Sequence, residues 1–213
     1  MINFLSKVVF IIVRPYYTFI HLCKFVHGKL MFKDYHWTNS VVSLKMIKPK
    51  YVSLGKHVRI GPNARIEGIS RWNDVIFEPI ISIGDYSAIQ QDVHITCANR
   101  IQIGNHTAIA ARVTITDINH PYDDVKLPID KQNIEVKEVI IGDECKIYNG
   151  AVILPGVHIG KHCVIGANSV VNVDIPDYSV AVGMPVKIIK RFDFEKNEWR
   201  KTYKSGVFLD ENN

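Results

Sequence analysis

The chain has 213 residues, enough for one domain with terminal extensions but too few for two large domains. Its composition is ordinary for a globular protein, with 47% hydrophobic and 22% charged residues and no low-complexity tract. The net charge of +5 is modest. Residues 1–33 contain five basic residues and no acidic one, so their own net charge equals that of the whole chain. A nucleic-acid reader usually carries its basic patch on the folded domain, so we expect no nucleic-acid partner.

Residues 1–50 are predicted to form an amphipathic, helical extension. Residues 8–23 are rich in apolar and aromatic side chains, but Arg14 and Pro15 interrupt them, so no uncharged run reaches the roughly 18 residues that a spanning helix needs. Two interpretations remain open. Residues 1–33 either lie on the inner face of the cell membrane as a peripheral contact, or pack on the body of the protein or on a neighbouring subunit.

Residues 51–186 are dominated by an aliphatic residue at every sixth position, often followed by glycine. The strictest run contains Ile141, Ile147, Ile153, Ile159, Ile165 and Val171. A period of six fits neither an α-helix nor an alternating strand and is typical of stacked β-helix coils. With three hexads per coil we predict an all-β domain of five coils, in which Cys145 stacks over Cys163 as an adjacent core thiol.

The cysteines predict neither a metal site nor a disulfide framework. They are Cys23, Cys97, Cys145 and Cys163, and their spacing gives no CxxC or Cys/His ligand pattern. We therefore expect no metal. The simplest location for a chain of this kind is the reducing cytoplasm.

Three segments interrupt the repeat: residues 67–82, a small outward excursion at 97–102, and the longest one at 117–138. The last is predicted to be an ordered arm, and it begins with Asn-His-Pro at 119–121. His120 therefore lies where the arm leaves the rigid stack, and the residues alone leave a functional and a structural role evenly balanced. His94, just before Ile95, is a second candidate for the same cleft.

Residues 187–213 are predicted to be a tail that caps the last coil. Residues 192–203, FDFEKNEWRKTY, are predicted to form a short helix within it.

Three segments together resemble the hexapeptide-repeat acyltransferases: IGNHTAIAARVTITDINH, IGDECKIYNGAVILPGVHIGKHCVIGANSVV and IPDYSVAVGMPVKIIKRF. Within that family they are most similar to the O-acetyltransferases of surface polysaccharide, colanic acid, O-antigen and galactoside. The resemblance covers residues 52 to about 191. It implies a left-handed parallel β-helix, a homotrimer, and active sites in the clefts between subunits.

The resemblance also implies roles for individual residues. The catalytic histidine of the family falls on His120, and the amide on the acceptor side falls on Gln90, where the galactoside enzymes have Asn. Further candidates on the acceptor side are Asn119, Tyr122 and His94. The candidates for binding acyl-CoA are Lys146, Tyr148, Asn149, Ala167, Asn172, Val173, Gly183, Lys187 and Lys190. Lys146 and Tyr148 depart from the family, which usually has Trp and Gly there.

The predicted function is transfer of an acetyl group from acetyl-CoA to a sugar hydroxyl of a surface polysaccharide (O-antigen, capsule or lipooligosaccharide) or its precursor. His120 would act as general base. Asp117, three residues upstream, would orient the ring, bind a neighbouring sugar hydroxyl, or cap the turn at the start of the arm.

Three alternatives remain. One is an N-acetyltransferase acting on an amino sugar or nucleotide-sugar, and another is a β-helix that binds without catalysis. The third is a γ-class carbonic anhydrase, for which His94, His106 and His120 lack the required spacing.

Overall fold

The computed structural model of the protein describes residues 51–203 and 206–209. The predicted N-terminal extension, with its helix and its membrane or subunit contact, lies outside these residues. The described part consists of short β-strands, turns and a 3-10 turn at Ile129–Lys131. None of its helices has the length and apolar character that crossing a bilayer demands.

Three parallel sheets form the walls of a prism. The first contains β1 (Val52–Leu54), β6 (Ile80–Ile83), β9 (Arg100–Ile103), β14 (Val139–Ile141) and β17 (His158–Ile159). The second contains β2 (Arg59–Ile60), β7 (Ala88–Ile89), β10 (Ala108–Ile109), β15 (Lys146–Ile147), β18 (Val164–Ile165) and β20 (Ser179–Val182). The third contains β3 (Arg65–Gly68), β8 (His94–Cys97), β11 (Thr114–Thr116), β16 (Val152–Ile153) and β19 (Val170–Val171). The chain visits the three sheets in turn five times, which confirms the predicted β-helix of five coils.

Three columns of aliphatic side chains fill the interior. Parallel pairing places the residues of the six-residue repeat directly above one another, as in Ile60, Ile89, Ile109, Ile147 and Ile165 of the second sheet. These five isoleucines are no more than 2% exposed. Complete burial of such a side chain contributes about 2 kcal/mol relative to leaving it in water. The repeat therefore specifies the core, because each coil covers its apolar edge only with its neighbours.

The corners explain why glycine follows the aliphatic residue. A Cβ on Gly104 would lie 2.6 Å from the backbone nitrogen of Asp143 in the next coil, and one on Gly84 would lie 2.6 Å from that of Asn105. No side chain fits at that distance, so the coils can stack this closely only if both positions are glycine.

In several hexads the small residue is Ser, Thr or Cys, and its side chain donates a hydrogen bond to the next coil. Thr107 Oγ1 donates to the carbonyl of Gly142 over 2.8 Å, and Cys145 Sγ donates to that of Gly160 over 3.0 Å. Cys145 Sγ also lies 3.5 Å from the backbone nitrogen of Cys163, and both thiols are buried and free. The predicted stacking of the two thiols is confirmed.

The first and third interruptions of the repeat are ordered. The first carries an antiparallel hairpin of β4 (Arg71–Trp72) and β5 (Val75–Ile76). The arm at 117–138 begins and ends in a second two-stranded ribbon, β12 (Ile118–Asn119) and β13 (Glu135–Val136). The excursion at 97–102 is smaller than predicted, because β8 ends at Cys97 and β9 already begins at Arg100.

The predicted C-terminal helix over residues 192–203 is wrong. These residues belong to β21 (Lys187–Asp193) and β22 (Glu198–Lys201), which continue the second sheet as antiparallel strands beyond β20. The sheet edge at β20 supplies backbone partners that a helix would leave unused. Between the strands, Asp193 Oδ1 accepts hydrogen bonds from the amides of Glu195 and Lys196, and Asn197 adopts a left-handed φ of 51°. These contacts favour a turn over a helix.

Candidate functional site

His120 lies at the point where the arm leaves the third coil. The stem of the arm is fixed there, because Ile118 pairs with Val136 and the amide of Lys137 donates to the carbonyl of Asp117 over 2.9 Å. His120 follows this ribbon directly and is exposed. The site thus presents an imidazole to solvent from a backbone held by strand pairing.

Trp72 of the first hairpin contacts the imidazole of His120. The two ring centroids are 5.0 Å apart and the ring planes meet at 71°, an edge-to-face arrangement. No sequence pattern indicates this contact, because Trp72 lies in a segment without the six-residue repeat.

The hairpin is also hydrogen-bonded to the arm, and we call this junction the clasp (residues 72–73 against residues 131–133). Trp72 Nε1 donates to the carbonyl of Gln132 over 3.1 Å, and Asn73 Nδ2 donates to the carbonyl of Lys131 over 3.2 Å. Asn73 Nδ2 also lies 3.5 Å from Asn133 Oδ1. Two insertions that leave different coils therefore meet beside His120.

Asp117 is directed inward and away from solvent. Its Oδ1 accepts a hydrogen bond from the amide of Ala98 over 2.8 Å, and its Oδ2 accepts from those of Asn99 and Arg100 over 2.7 and 2.9 Å. The residue is 0% exposed, so it offers no surface to a sugar hydroxyl. The geometry supports the capping interpretation, but the loop that it caps is the one at 98–100 of the preceding coil.

Cys97 shares this buried site and does not act as a nucleophile there. Its thiol donates to Asp117 over 3.3 Å. Burial raises the pKa of Cys97 strongly, and the charge of Asp117 raises it further. The thiol therefore stays protonated, whereas a nucleophilic cysteine needs the thiolate.

His94 lies on the outer face of the third sheet, in the strand beside β11. Its Nε2 is 2.9 Å from Thr96 Oγ1 and 3.3 Å from Glu67 Oε1, and its side chain is 40% exposed. Glu67 and Thr96 are further polar residues of this face that the sequence pattern did not single out. Thr96 pairs with Thr116, so the group lies one coil from the strand that leads into the arm.

The three histidines of the carbonic anhydrase alternative have separate surroundings. His94 contacts Glu67, His120 contacts Trp72, and His106 stacks on Tyr86 with centroids 5.0 Å apart. Within residues 51–203 and 206–209, no group of three His, Cys, Asp or Glu side chains could hold a metal ion.

The other candidates for the acceptor side are exposed. Gln90 follows β7 at the corner between the second and third sheets. Its backbone amide donates to the carbonyl of Ile109 over 2.9 Å. Asn119 pairs with Glu135 in the arm ribbon, and Tyr122, on the arm, is 72% exposed. Asn119 and Tyr122 flank His120 in sequence, whereas Gln90 lies on the prism itself.

Lys146 and Tyr148 form a pair on the outer surface of the fourth coil. Lys146 Nζ lies 5.5 Å from the centroid of the Tyr148 ring, a cation–π distance. Tyr148 is 44% exposed. An exposed aromatic surface therefore lies two residues beyond the position at which the resemblance implies Trp.

The remaining candidates for acyl-CoA lie on the last coils. Asn149 accepts a hydrogen bond at its carbonyl from the amide of Asn168 over 2.9 Å, and Gly183 donates through its amide to Ser169 Oγ over 2.9 Å. The register of β15, β18 and β20 places Asn149, Ala167 and Gly183, each two residues beyond a paired position, along one corner of the prism. We call this corner the donor column (residues 149, 167 and 183).

The last four candidates for binding acyl-CoA are exposed. Asn172 and Val173 follow β19, and Lys187 and Lys190 lie on β21, where they pair with Val182 and Val180. Within the part of the chain that the structure describes, no hydrogen bond, ion pair or ring contact joins His120 to any of these residues.

Comparison with known proteins agrees with this architecture. Residues 138–172 match the family described as "Bacterial transferase hexapeptide (six repeats)". The chain is 33% identical over 157 residues to the "Putative lipopolysaccharide biosynthesis O-acetyl transferase WbbJ" of Escherichia coli, across 70% of this chain and 76% of that protein. It is 31% identical over 159 residues to the galactoside O-acetyltransferase of Escherichia coli, across 73% of this chain and 65% of that protein.

Solved structures show the same likeness. A hexapeptide-repeat acetyltransferase of Vibrio cholerae, crystallised with acetyl coenzyme A, superposes with a TM-score of 0.51 at 25% identity, over 67% of this chain and 68% of that chain. AntD, an N-acyltransferase of Bacillus cereus, shares the fold with a TM-score of 0.55 at 22% identity, over 70% and 76% of the two chains. From its repeats, its stacked coils and its likeness to these proteins, the chain belongs to the hexapeptide-repeat acyltransferases and is itself an acyltransferase.

Proposed function

We propose that the protein transfers an acetyl group from acetyl-CoA to a hydroxyl of a sugar in a surface polysaccharide or its precursor. The observation that supports the role of His120 is its position. Its exposed imidazole follows the paired strands at the base of the arm and contacts the ring of Trp72. The likeness to sugar O-acetyltransferases supports the substrate class.

His120 acts as the general base in this proposal. A sugar hydroxyl is a weak nucleophile until its proton is removed, and an imidazole is suited to accept that proton near neutral pH. The oxygen forms a bond to the thioester carbonyl carbon while the imidazole takes the hydroxyl proton. The carbon–sulfur bond then breaks, and the imidazolium returns the proton to the departing thiolate. The three described cysteines are buried, which favours direct transfer over a covalent acyl-cysteine.

The donor side of the site is assigned to the donor column and its surroundings. Lys187 and Lys190 are exposed cations on a strand, well suited to bind the phosphates of CoA by charge-assisted hydrogen bonds. Tyr148 supplies a flat apolar surface for the donor, and Lys146 adds a further cation beside it.

A homotrimer completes the site in this proposal. Within one chain His120 and the donor column belong to different coils, and they are brought together when the arm of one subunit reaches the donor column of the next. The exposed apolar residues of the arm support such a contact: Tyr122, Val125, Leu127 and Ile129. Sedimentation velocity of the purified chain tests the trimer, and a monomer that transfers acetyl groups at the full rate would contradict it.

The cellular setting is part of the same proposal. The basic, apolar segment at residues 1–33 suits a substrate attached to a lipid carrier at the cytoplasmic face of the membrane. That segment lies outside the described residues, and its membrane contact stays a prediction. Flotation of the full chain with anionic vesicles would test it.

The decisive experiment measures release of CoA thiol from acetyl-CoA across a panel of neutral sugars, amino sugars and polysaccharide fragments. Mass spectrometry then identifies the acylated product. We expect an O-acetylated sugar, with turnover about 10²- to 10⁴-fold lower in His120→Ala. The matched control is His158→Ala, because His158 is also exposed but lies on the first sheet. Near-wild-type turnover in His120→Ala would remove the base from the proposal, and exclusive acylation of amines would favour the N-acetyltransferase.

A further inference from the structure

We propose that Trp72 is a positioning residue for His120. The indole sets the direction of the imidazole, and the clasp holds the indole in place. This inference rests on the proposed function for its catalytic meaning, but the contact itself can be tested without any acyl transfer.

The rings of Trp72 and His120 are in contact. His120 is exposed, and an exposed imidazole ordinarily samples several rotamers. Within the described residues no hydrogen bond to the imidazole accompanies the edge-to-face contact with Trp72, whose ring centroid lies 5.0 Å away. The indole is therefore the group that restricts the rotation of the ring.

The indole is itself held in place by a hydrogen bond to the arm. Trp72 Nε1 donates to the carbonyl of Gln132 over 3.1 Å, and this bond fixes the ring plane relative to the arm. Asn73, the next residue, donates to the carbonyls of Lys131 and Gln132 over 3.2 and 3.3 Å. Trp72 is partly buried, as expected for a ring held between two backbone segments.

Gln132 also determines the shape of the arm. The side-chain Nε2 of Gln132 donates to the carbonyls of Asp124 and Leu127 over 3.0 and 3.3 Å. The loop at 124–132 is thus folded around the same residue whose carbonyl receives the indole. A change in the arm is transmitted through Gln132 to Trp72 and from there to His120.

This chain of contacts has a catalytic consequence. A general base must lie within hydrogen-bond reach of the proton that it abstracts, and a misplacement of about 1 Å can lower the rate about 100-fold. The clasp therefore places the base in the proposed reaction, while substrate binding depends on other residues.

Four variants test the proposal. We expect Trp72→Ala to lower kcat about 10- to 100-fold, with the KM for acetyl-CoA changed by less than about twofold. Trp72→Phe keeps an aromatic ring beside His120 but loses the bond to Gln132, so we expect a loss of kcat smaller than that of Trp72→Ala. Asn73→Gly suits the left-handed φ of 49° and removes the bonds to the arm, so we expect a loss of several-fold.

Asn63→Gly is the matched control. Asn63 also has a left-handed φ, of 57°, and its side chain bonds Asp92, away from the clasp. We expect an unchanged rate for this variant. The proposal would be overturned if Trp72→Ala and Trp72→Phe lost the same amount of kcat and both had a lower Tm and a changed oligomeric state. Trp72 would then have a purely structural role.

A measurement without substrates separates this inference from the proposed function. The Cε1–H resonance of His120, assigned by its absence in His120→Ala, should move in Trp72→Ala because the ring current of the indole is lost. It should move less in Trp72→Phe and not at all in Asn63→Gly. A resonance that does not respond to Trp72→Ala would overturn the proposal. A resonance that responds in a protein without transferase activity would instead refute the proposed function and leave the contact standing.

Discussion

The thiol of Cys97 donates a hydrogen bond to the carboxylate of Asp117 over 3.3 Å, in a position closed to solvent. A buried carboxylate is costly unless donors surround it, and here three backbone amides and the thiol do so. The pair joins the end of β8 to the residue from which the arm begins. The carboxylate of Asp117 therefore bonds the start of the arm to the coil before it.

Removal of this carboxylate should weaken the fold. We expect Asp117→Ala to lower the free energy of unfolding by about 3 kcal/mol, because the amides of Ala98, Asn99 and Arg100 lose their acceptor. Urea unfolding at a fixed protein concentration measures the change. Asp143→Ala is the control, because Asp143 also accepts a backbone amide but at an exposed turn, and it should cost less than about 1 kcal/mol. Unchanged stability with lost activity would restore the catalytic interpretation of Asp117.

The buried thiols should resist alkylation. Burial raises the pKa of Cys97, and the two stacked thiols of Cys145 and Cys163 are equally enclosed. We expect iodoacetamide at pH 8 to modify these three residues on the order of 100-fold more slowly in the native protein than in urea. Peptide mass spectrometry follows each site separately. Rapid native labelling at Cys97 would show that the Asp117 site opens readily.

The C-terminal hairpin should lose stability in acid. The hydrogen bond from Arg200, at 2.8 Å, holds the pKa of Asp193 below its ordinary value of about 3.9. A carboxyl whose pKa is lowered by folding stabilises the fold above its unfolded pKa, and this contribution is lost as the pH falls through the folded value. We expect the Tm difference between wild type and Asp193→Asn to be constant near neutral pH and to shrink below about pH 4. Calorimetry from pH 7 to pH 2.5 checks this, and a difference that persists at pH 2.5 would contradict it.

The exposed lysines of β21 should control donor affinity. We expect Lys187→Ala to raise the KM for acetyl-CoA about 3- to 10-fold with little change in kcat, because it removes a cation that binds phosphate. The effect should fall as the salt concentration rises. Lys56→Ala is the control, because Lys56 is exposed on the first coil, at the other end of the prism. A lower kcat with unchanged KM in Lys187→Ala would argue against donor binding at this strand.

The core was predictable because its signal is periodic. The six-residue repeat alone predicts that Cys145 stacks over Cys163, and the pairing of Lys146 with Val164 confirms that register. The clasp was not predictable in this way. Trp72 and Gln132 are 60 residues apart, and a bond from a side chain to a backbone carbonyl leaves no pattern in sequence.

The C-terminal segment shows a different limit of sequence reasoning. The sequence predicts a short helix over residues 192–203. The open edge at β20 decides their structure, and Arg200 then joins Asp193 across the new hairpin. Pairing with the edge strand β20 therefore overrides the local conformational preference of these residues, and this edge exists only after the coils have stacked.

The coil length of eighteen residues between Lys146 and Val164 restricts how such a chain can change in length. Deletion of one hexad from the fourth coil would still leave an aliphatic residue at every sixth position. It would, however, rotate every later residue by a third of a turn around the prism, so that residues 167 and 183 would lie on another side. Deletion of a whole coil would only lower those residues by one strand spacing, about 4.8 Å. Length variants of this protein that keep their activity should therefore differ by complete coils, or within the arm and the hairpin, where a change in length leaves the stacked strands in register.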